Sequence, residues 1–295
     1  PLMYTINQKI NKLLSIWLIS MFFIIAIMIV VGGLTRLTDS GLSITQWQLF
    51  SGVLPPLNHH EWIMYFNLYK EIPEFKLQNF NMSLQEFKII FWWEWAHRFL
   101  GRLIGIGFII PLIYFTIILG FKKLFNLYLI FILICFQGFL GWFMVQSGLV
   151  YDVDVSHFRL SAHLLFAFII LSLIFWNYLK TKVKINLKNT INLIFPLGFL
   201  FLIFLQIIIG AFVSGMDAGK IYNSWPLMGS SFFPDDNDYS NLFKLSAFSD
   251  PSLVQFIHRK LAYLIGFIYL YLLFKIYKKK MTSLYKSINI VGILI

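Results

Sequence analysis

Residues 94–121 read EWAHRFLGRLIGIGFIIPLIYFTIILGF, a short polar head followed by an apolar run. The run Leu103–Phe121 is uncharged and close to the roughly 20 residues with which a helix crosses a bilayer. Comparable runs recur along the chain, so the sequence predicts an all-α, polytopic helical membrane protein. The others are Leu13–Thr35, Leu124–Tyr151, Leu160–Leu179 and Asn189–Met216, a sixth centred on Leu261–Phe274, and a seventh that begins near Ser287.

The composition supports the same class. Hydrophobic residues make up 59% of the chain and charged residues 13%, whereas soluble proteins carry about 25% charged residues. The net charge of +11 does not indicate nucleic-acid binding, because the lysines cluster in alternate connections that contain none of the 13 acidic residues. This positive-inside pattern predicts a cytoplasmic N-terminus and two large outer connections, 36–90 and 215–252. The basic connections hold Lys9 and Lys12, Lys122 and Lys123, Lys180 to Lys188, and Lys275 to Lys286.

The chain reads as a duplication. Each half begins with a span, a large outer connection and a second span headed by a histidine and an arginine. Glycine marks the end of the first span in both halves, as Gly32 and as Gly210. We predict two pseudo-repeated four-helix bundles, an N-terminal half, 1–186, and a C-terminal half, 187–295. The second half supplies two spans and part of a third, so we expect an eighth span with a further histidine beyond Ile295.

The head of the second span, Glu94-Trp95-Ala96-His97-Arg98, recurs at the sixth span as Gln255-Phe256-Ile257-His258-Arg259. A histidine beside an arginine, just inside a membrane helix and used twice, indicates two related sites for a flat, anionic, metal-centred ligand. Haem has this chemistry, because neutral imidazole ligates its iron and guanidinium groups pair with its propionates.

The predicted depth of the histidines supports a haem site in the first half. The second span is expected to enter from outside near Phe91, and the fourth near Ser156, which puts His97 and His163 each about two turns inside the span. Two histidines at matching depth can hold one iron from both sides. His258 has the same depth in the second half. The alternative is that these histidines only form hydrogen bonds between helices.

The arginines lie near the outer face, where the positive-inside rule does not place them. Arginine pairs with carboxylates through its planar fork of donors, so we predict that these side chains contact haem propionates. The alternative is that some reach lipid phosphates. By contrast, His59, His60 and His157 are expected to be solvated surface histidines. The predicted propionate contacts are Arg36, Arg98, Arg102, Arg159 and Arg259.

Glu94 is the candidate for chemistry. It lies three residues before His97 and therefore on the same helical face. A carboxylate beside a haem edge can act as a general base or stabilise positive charge that develops on a substrate. The corresponding residue in the other half is the neutral Gln255, which suggests that only one half is reactive. The alternative is that Glu94 merely complements the helix dipole.

These motifs resemble the haem A synthases, which convert haem O to haem A for terminal oxidases. The resemblance covers nearly the whole chain. It rests on Gly32-Gly33-Leu34-Thr35-Arg36-Leu37-Thr38 with Ser40-Gly41-Leu42-Ser43, on Glu94-Trp95-Ala96-His97-Arg98 with Gly101-Arg102, on Arg159-Leu160-Ser161-Ala162-His163-Leu164, and on Gln255-Phe256-Ile257-His258-Arg259.

The resemblance implies specific roles. His97 and His163 would form the haem site of the catalytic first half, with Glu94 essential beside it, and His258 would be an axial ligand of a haem B in the second half. The implied reaction hydroxylates the C8 methyl group of haem O twice, after which loss of water leaves a formyl group. Haem O synthase, an electron acceptor and a second copy of the chain are candidate partners, besides membrane lipids.

The chain departs from the wider family in two respects. Some members carry a cysteine pair in the first outer loop, whereas the one cysteine here is Cys135 in the third span. The chain therefore resembles the cysteine-free branch of proteobacteria and mitochondria. The second departure is the missing eighth span, which supplies the fourth histidine in the family.

Two other classes remain open. A bis-histidine membrane cytochrome b that only transfers electrons would explain the paired histidines but not the difference between Glu94 and Gln255. A transporter built from repeats would have broken helices with polar groups at mid-membrane, and the sequence lacks that pattern. The frequent Lys, Ile, Asn and Phe and the compact chain favour a bacterial inner membrane over a mitochondrial one.

Overall fold

The computed structural model describes residues 8–48, 51–149, 154–182 and 194–278. In these ranges the chain is helical, and six helices are long and apolar enough to cross a membrane. The prediction of an all-α, polytopic membrane protein is therefore confirmed, while the predicted seventh span lies outside the described residues. The helices are α1 (Gln8–Leu37), α2 (His59–Lys70), α3 (Pro73–Leu77), α4 (Leu84–Leu119), α5 (Phe121–Gly148), α6 (His157–Lys182), α7 (Ile194–Gly215) and α8 (Pro251–Lys278).

α4 begins before the point at which the second span is predicted to enter the membrane, near Phe91. The helix starts at Leu84 because Ser83 and Glu86 form a capping box. The Ser83 amide donates to Glu86 Oε2 at 2.7 Å, and the Glu86 amide donates to Ser83 Oγ at 3.3 Å. His97 consequently lies roughly 20 Å along the helix from its first residue, and its depth in the membrane stays a prediction.

A one-residue turn joins α4 to α5. Gly120 has φ +82°, a left-handed value that residues with a Cβ rarely adopt, and its amide donates to the Thr116 carbonyl. The third span therefore begins directly at Phe121, three residues before the predicted Leu124.

The chain divides into two compact units, Pro1–Lys188 and Asn189–Ile295. In the first unit, α1 packs against α4 and α6, and α5 packs against the same two helices, which gives a four-helix bundle. One buried core joins all four helices through Leu18 of α1, Phe108 of α4, Leu127 of α5 and Ile174 of α6. The Trp17 indole adds a cross-link by donating to the Gly107 carbonyl at 3.0 Å.

The first outer connection is not the plain loop that was expected. It contains α2 and α3, which pack with the first turns of α4 around an aromatic cluster that includes Trp62, Phe66 and Phe87. His59 and His60 are exposed, as predicted, but they form the first turn of α2. This folded connection extends the bundle at the end where the head of α4 lies.

In the second unit, α7 packs against α8. Ile209 and Phe212 of α7 contact Val254 and Leu261 of α8 in a buried cluster. The connection between the two helices is a series of short 3-10 turns.

Candidate haem site

The structure brings His97 of α4 and His163 of α6 together. Their imidazole ring centres are 6.5 Å apart and their ring planes are inclined by 59°. Two imidazoles that ligate one metal from opposite sides have ring centres roughly 6 Å apart, given metal–nitrogen bonds of roughly 2 Å. The distance between the rings is therefore one at which two imidazoles can share a single metal ion. The described residues contain no group of three or more His, Cys, Asp or Glu that could hold a metal ion.

A glycine of a neighbouring helix lies against each of the three candidate histidines. A Cβ atom added at Gly32 of α1 would be 3.0 Å from His97 Nε2, and one added at Gly141 of α5 would be 3.1 Å from His163 Cε1. In the second unit, a Cβ atom at Gly210 of α7 would be 3.0 Å from Cε1 of His258 on α8. The missing side chains make the space that the imidazole rings occupy. Gly32 and Gly210 were found as repeat markers, but their contact with histidine was not predicted.

Glu94 is buried and fully hydrogen-bonded. Its Oε2 accepts from the Ser43 hydroxyl and from the Ile44 amide, both at 2.7 Å. Its Oε1 accepts from Nε and Nη2 of Arg98, one turn further along α4. A carboxylate offers about four acceptor sites, so this set of donors occupies all of them.

The arginines at the head of α4 hold the backbone of the outer connection. Arg98 Nη2 donates to the Ile44 carbonyl at 2.7 Å, and Arg102 Nη2 donates to the Gln48 carbonyl at 2.8 Å. The Arg98 guanidinium also lies over the Trp47 ring, with 5.4 Å to the centroid. Two of the predicted propionate contacts therefore bind protein carbonyl groups in this structure.

The two remaining arginines of the first unit that were predicted to contact propionates have other partners in this structure. Arg159 lies over the Phe143 ring at 5.0 Å. Arg36, at the end of α1, forms an ion pair with Asp39.

The head of α8 repeats this arrangement, but here both side chains donate hydrogen bonds. Arg259 donates to the carbonyl groups of Tyr222 at 2.7 Å and of Ser224 at 2.9 Å. Gln255 Nε2 also donates to the Tyr222 carbonyl, at 2.9 Å. In both units, the arginine after the histidine and the side chain three residues before it hold the outer connection.

The comparisons with known proteins identify the family of the chain. Residues 15–295 match the family profile described as cytochrome oxidase assembly protein (COX15-CtaA). The chain is 52% identical over 282 residues to the Heme A synthase of Pelagibacter ubique, which covers 94% of this chain and 83% of the relative. It is 43% identical over 285 residues to that of Rickettsia bellii, which covers 94% and 84%.

A third relative, the Heme A synthase of Parvibaculum lavamentivorans, is 46% identical over 261 residues, which covers 84% of this chain and 73% of the relative. No solved structure matches the chain. The family match over most of the chain, together with relatives well above 30% identity, shows that this chain belongs to the cytochrome oxidase assembly protein family that includes the haem A synthases.

Proposed function

We propose that this chain is a haem A synthase that oxidises the C8 methyl group of haem O to a formyl group. The observation that carries the proposal is the His97–His163 pair, with ring centres 6.5 Å apart, in a bundle whose relatives carry that name. With water as the source of the formyl oxygen, the oxidation releases four electrons and four protons, and an electron acceptor takes the electrons.

In the first unit, His97 and His163 would hold the iron of the substrate haem O. When bound, the haem supplies the redox chemistry of its iron. The two imidazoles fix where the porphyrin lies, and a cavity bordered by Trp95, Arg98 and Arg102 adjoins the head of α4. Guanidinium groups suit propionates, because they can donate two parallel hydrogen bonds to a carboxylate. To do so, Arg98 would have to exchange its bonds to Glu94 and the Ile44 carbonyl for a propionate, and Arg102 its bond to the Gln48 carbonyl. Arg36 and Arg159 are assigned the same role.

Glu94 would act on the reacting edge of the substrate. Its negative charge lies one helical turn from His97 and can stabilise positive charge that develops on the porphyrin substituent. Accepting a proton requires a free lone pair, and rotation of the Ser43 hydroxyl would release one on Oε2. The remaining donors would keep the carboxylate in place.

In the second unit, His258 would be an axial ligand of a haem B, with Arg259 near its propionates. Gln255 cannot accept a proton, which suits a site that only holds a cofactor. We place the protein in a bacterial inner membrane with a cytoplasmic N-terminus, because the basic connections alternate with the acidic ones. Haem O synthase and a second copy of the chain are proposed as partners.

The proposal is tested by co-expression with haem O synthase in a host that lacks haem A, followed by extraction and chromatography of the haems. Haem A is expected with the unaltered chain and not with His97→Ala, while His60→Ala, at an exposed position of α2, serves as control. Bound haem B without conversion would identify an electron-transfer cytochrome. Absence of any haem would favour a transporter.

A further inference from the structure

Two glutamines lie inside otherwise apolar helices, each one turn before a glycine that contacts a histidine. Gln137 precedes Gly141 on α5, and Gln206 precedes Gly210 on α7. Gln137 Nε2 donates to the main-chain carbonyl of His163 at 2.8 Å. Gln206 Nε2 donates to the main-chain carbonyl of His258 at 3.3 Å. The same Gln-x-x-x-Gly pattern therefore contacts both the backbone and the ring of a candidate ligand, once in each unit.

Polar side chains within membrane helices are costly and are typically tied to function. Here the cost is increased, because the Oε1 atoms of both glutamines are buried without a hydrogen-bond partner. The Nδ1 atoms of both histidines, His163 and His258, are likewise buried without a partner. Packing alone does not explain two carboxamides at these places, since an apolar side chain would avoid the cost.

Gln206 also contacts the ring of His258. Gln206 Nε2 lies 3.3 Å from His258 Nε2 as well as from the His258 carbonyl. The hydrogen bond to the carbonyl fixes the orientation of the carboxamide, because a flipped amide would turn Oε1 toward the carbonyl oxygen, and both are acceptors. Since the amide nitrogen can only donate, a hydrogen bond to the ring requires the His258 tautomer with its proton on Nδ1. This tautomer presents the Nε2 lone pair that an iron ligand needs.

We propose that Gln137 and Gln206 are positioning residues that hold the backbone and ring of the haem ligands His163 and His258. This inference rests on the proposed function, in which both histidines ligate haem iron. The Gln206 amide would then yield the Nε2 lone pair of His258 to the iron and keep its bond to the backbone. The third candidate histidine, His97, contacts Gly32, and the residue one turn before that glycine is Met28. Met28 therefore occupies the position that corresponds to Gln137 and Gln206. Methionine is for this reason a suitable replacement for either glutamine.

The test uses the full chain, purified in detergent and titrated with ferric haem B. Gln137→Met and Gln206→Met are each expected to weaken haem binding about tenfold at the altered site, the lower end of effects seen for groups that orient a metal ligand. For Gln137→Met, the electron paramagnetic resonance signal of the low-spin haem held by His97 and His163 should shift as well. Gln146→Met, at an exposed position of α5, should leave both unchanged. Circular dichroism verifies that each variant keeps its helices.

A second pair, Gln137→Glu and Gln206→Glu, keeps the side-chain size but removes the amide donor, so it should weaken binding in the same direction. Unchanged affinity and an unchanged signal in folded Met variants would overturn the proposal. Failure of the unaltered chain to bind haem would overturn it too. If the unaltered chain binds haem with glutamine-dependent affinity but makes no haem A, the proposed function fails and the positioning role stands. If it makes haem A and binds haem equally well without the glutamines, the proposed function stands and the positioning role fails.

Discussion

The side chains of Glu94 and Arg98 form a buried ion pair across one turn of α4, and both also bind the backbone of Ile44. Glu94 accepts a hydrogen bond from the Ile44 amide, and Arg98 donates one to the Ile44 carbonyl. The two charged side chains therefore bind both polar backbone groups of one residue. In the second unit, Gln255 and Arg259 both donate to a carbonyl. Glu94 is an acceptor where the backbone presents an N–H group, and Gln255 is a donor where the backbone presents a C=O group. Glu94 therefore has a structural role besides the proposed chemical one.

Glu94→Gln should abolish haem A formation while haem binding persists. The variant keeps the side-chain size and can still accept from the Ile44 amide, but it loses the negative charge beside the substrate. Loss of a charge-assisted hydrogen bond of this kind costs roughly 1.5–3 kcal/mol, so the outer connection should also loosen. Extracted haems report the activity, and limited proteolysis within residues 43–48 reports the connection.

Glu61→Gln is the matched control, because Glu61 is a half-buried acid on α2 that accepts from the Leu57 amide and from Asn58 at the start of that helix. Near-normal haem A from the Glu94 variant would reduce Glu94 to its structural role. If Glu94→Gln binds no haem and is also cleaved readily within residues 43–48, the ion pair is needed for folding of the site.

His97→Ala and His163→Ala should each remove the six-coordinate low-spin spectrum of the haem in the first unit, because each deletes one of the two proposed axial ligands. The protein should remain inserted, since the bundle core of α1 and α4–α6 does not include these rings. Absorption and paramagnetic resonance spectra provide the measurement. A variant that retains the six-coordinate signal of that site would disprove the assignment of its histidine.

Gly32→Ala should displace the His97 imidazole, because the added methyl carbon would lie 3.0 Å from Nε2. Haem occupancy of the first unit is expected to fall about tenfold. Gly33→Ala is a neighbouring control whose Cβ atom meets nothing within 4 Å. On helix propensity alone, either change should stabilise α1 by roughly 0.5–1 kcal/mol. Equal haem content in the two variants would contradict the steric role of Gly32.

The sequence predicted the parts of the fold that hydrophobicity determines. The uncharged runs located the six described spans, and the position of histidines near the outer ends of two spans anticipated the contact between His97 and His163. The helical start of α4 at Leu84 was not predicted, because hydropathy measures only the apolar part of a helix. The signal for its true start, Ser83 followed three residues later by Glu86, lies in the polar sequence before it.

The hydrogen bonds of the site were less predictable. No spacing in the sequence indicates that Arg98 binds the backbone of Ile44, since the two residues meet only through the fold of the outer connection. Gln137 and Gln206 were overlooked because a single polar residue does not interrupt an apolar run. Their shared spacing to glycine was a signal that could have revealed them.

The outer connection also contains a buried acid that the proposed reaction does not use. Glu74 of α3 is 3% exposed and accepts a hydrogen bond from the Tyr69 hydroxyl at 2.9 Å. Burial raises the pKa of Glu74 to about 8, although the Tyr69 hydrogen bond acts in the opposite direction. The unfolded chain has an ordinary glutamate with a pKa of about 4.3. The folded connection therefore binds a proton more tightly than the unfolded one.

This difference predicts that the connection loses stability as the pH rises. The contribution of Glu74 is fully present below about pH 4.3 and is lost progressively up to about pH 8, because the buried carboxyl must ionise. Glu74→Gln, which cannot ionise, should remove that pH dependence, on the order of a few kcal/mol. Hydrogen exchange of α2 and α3 between pH 5 and pH 8.5, corrected for the intrinsic exchange rate, measures it. Glu71→Gln, whose side chain is 78% exposed, should retain the full dependence. Equal pH slopes for the two variants would show that Glu74 is not the titrating group.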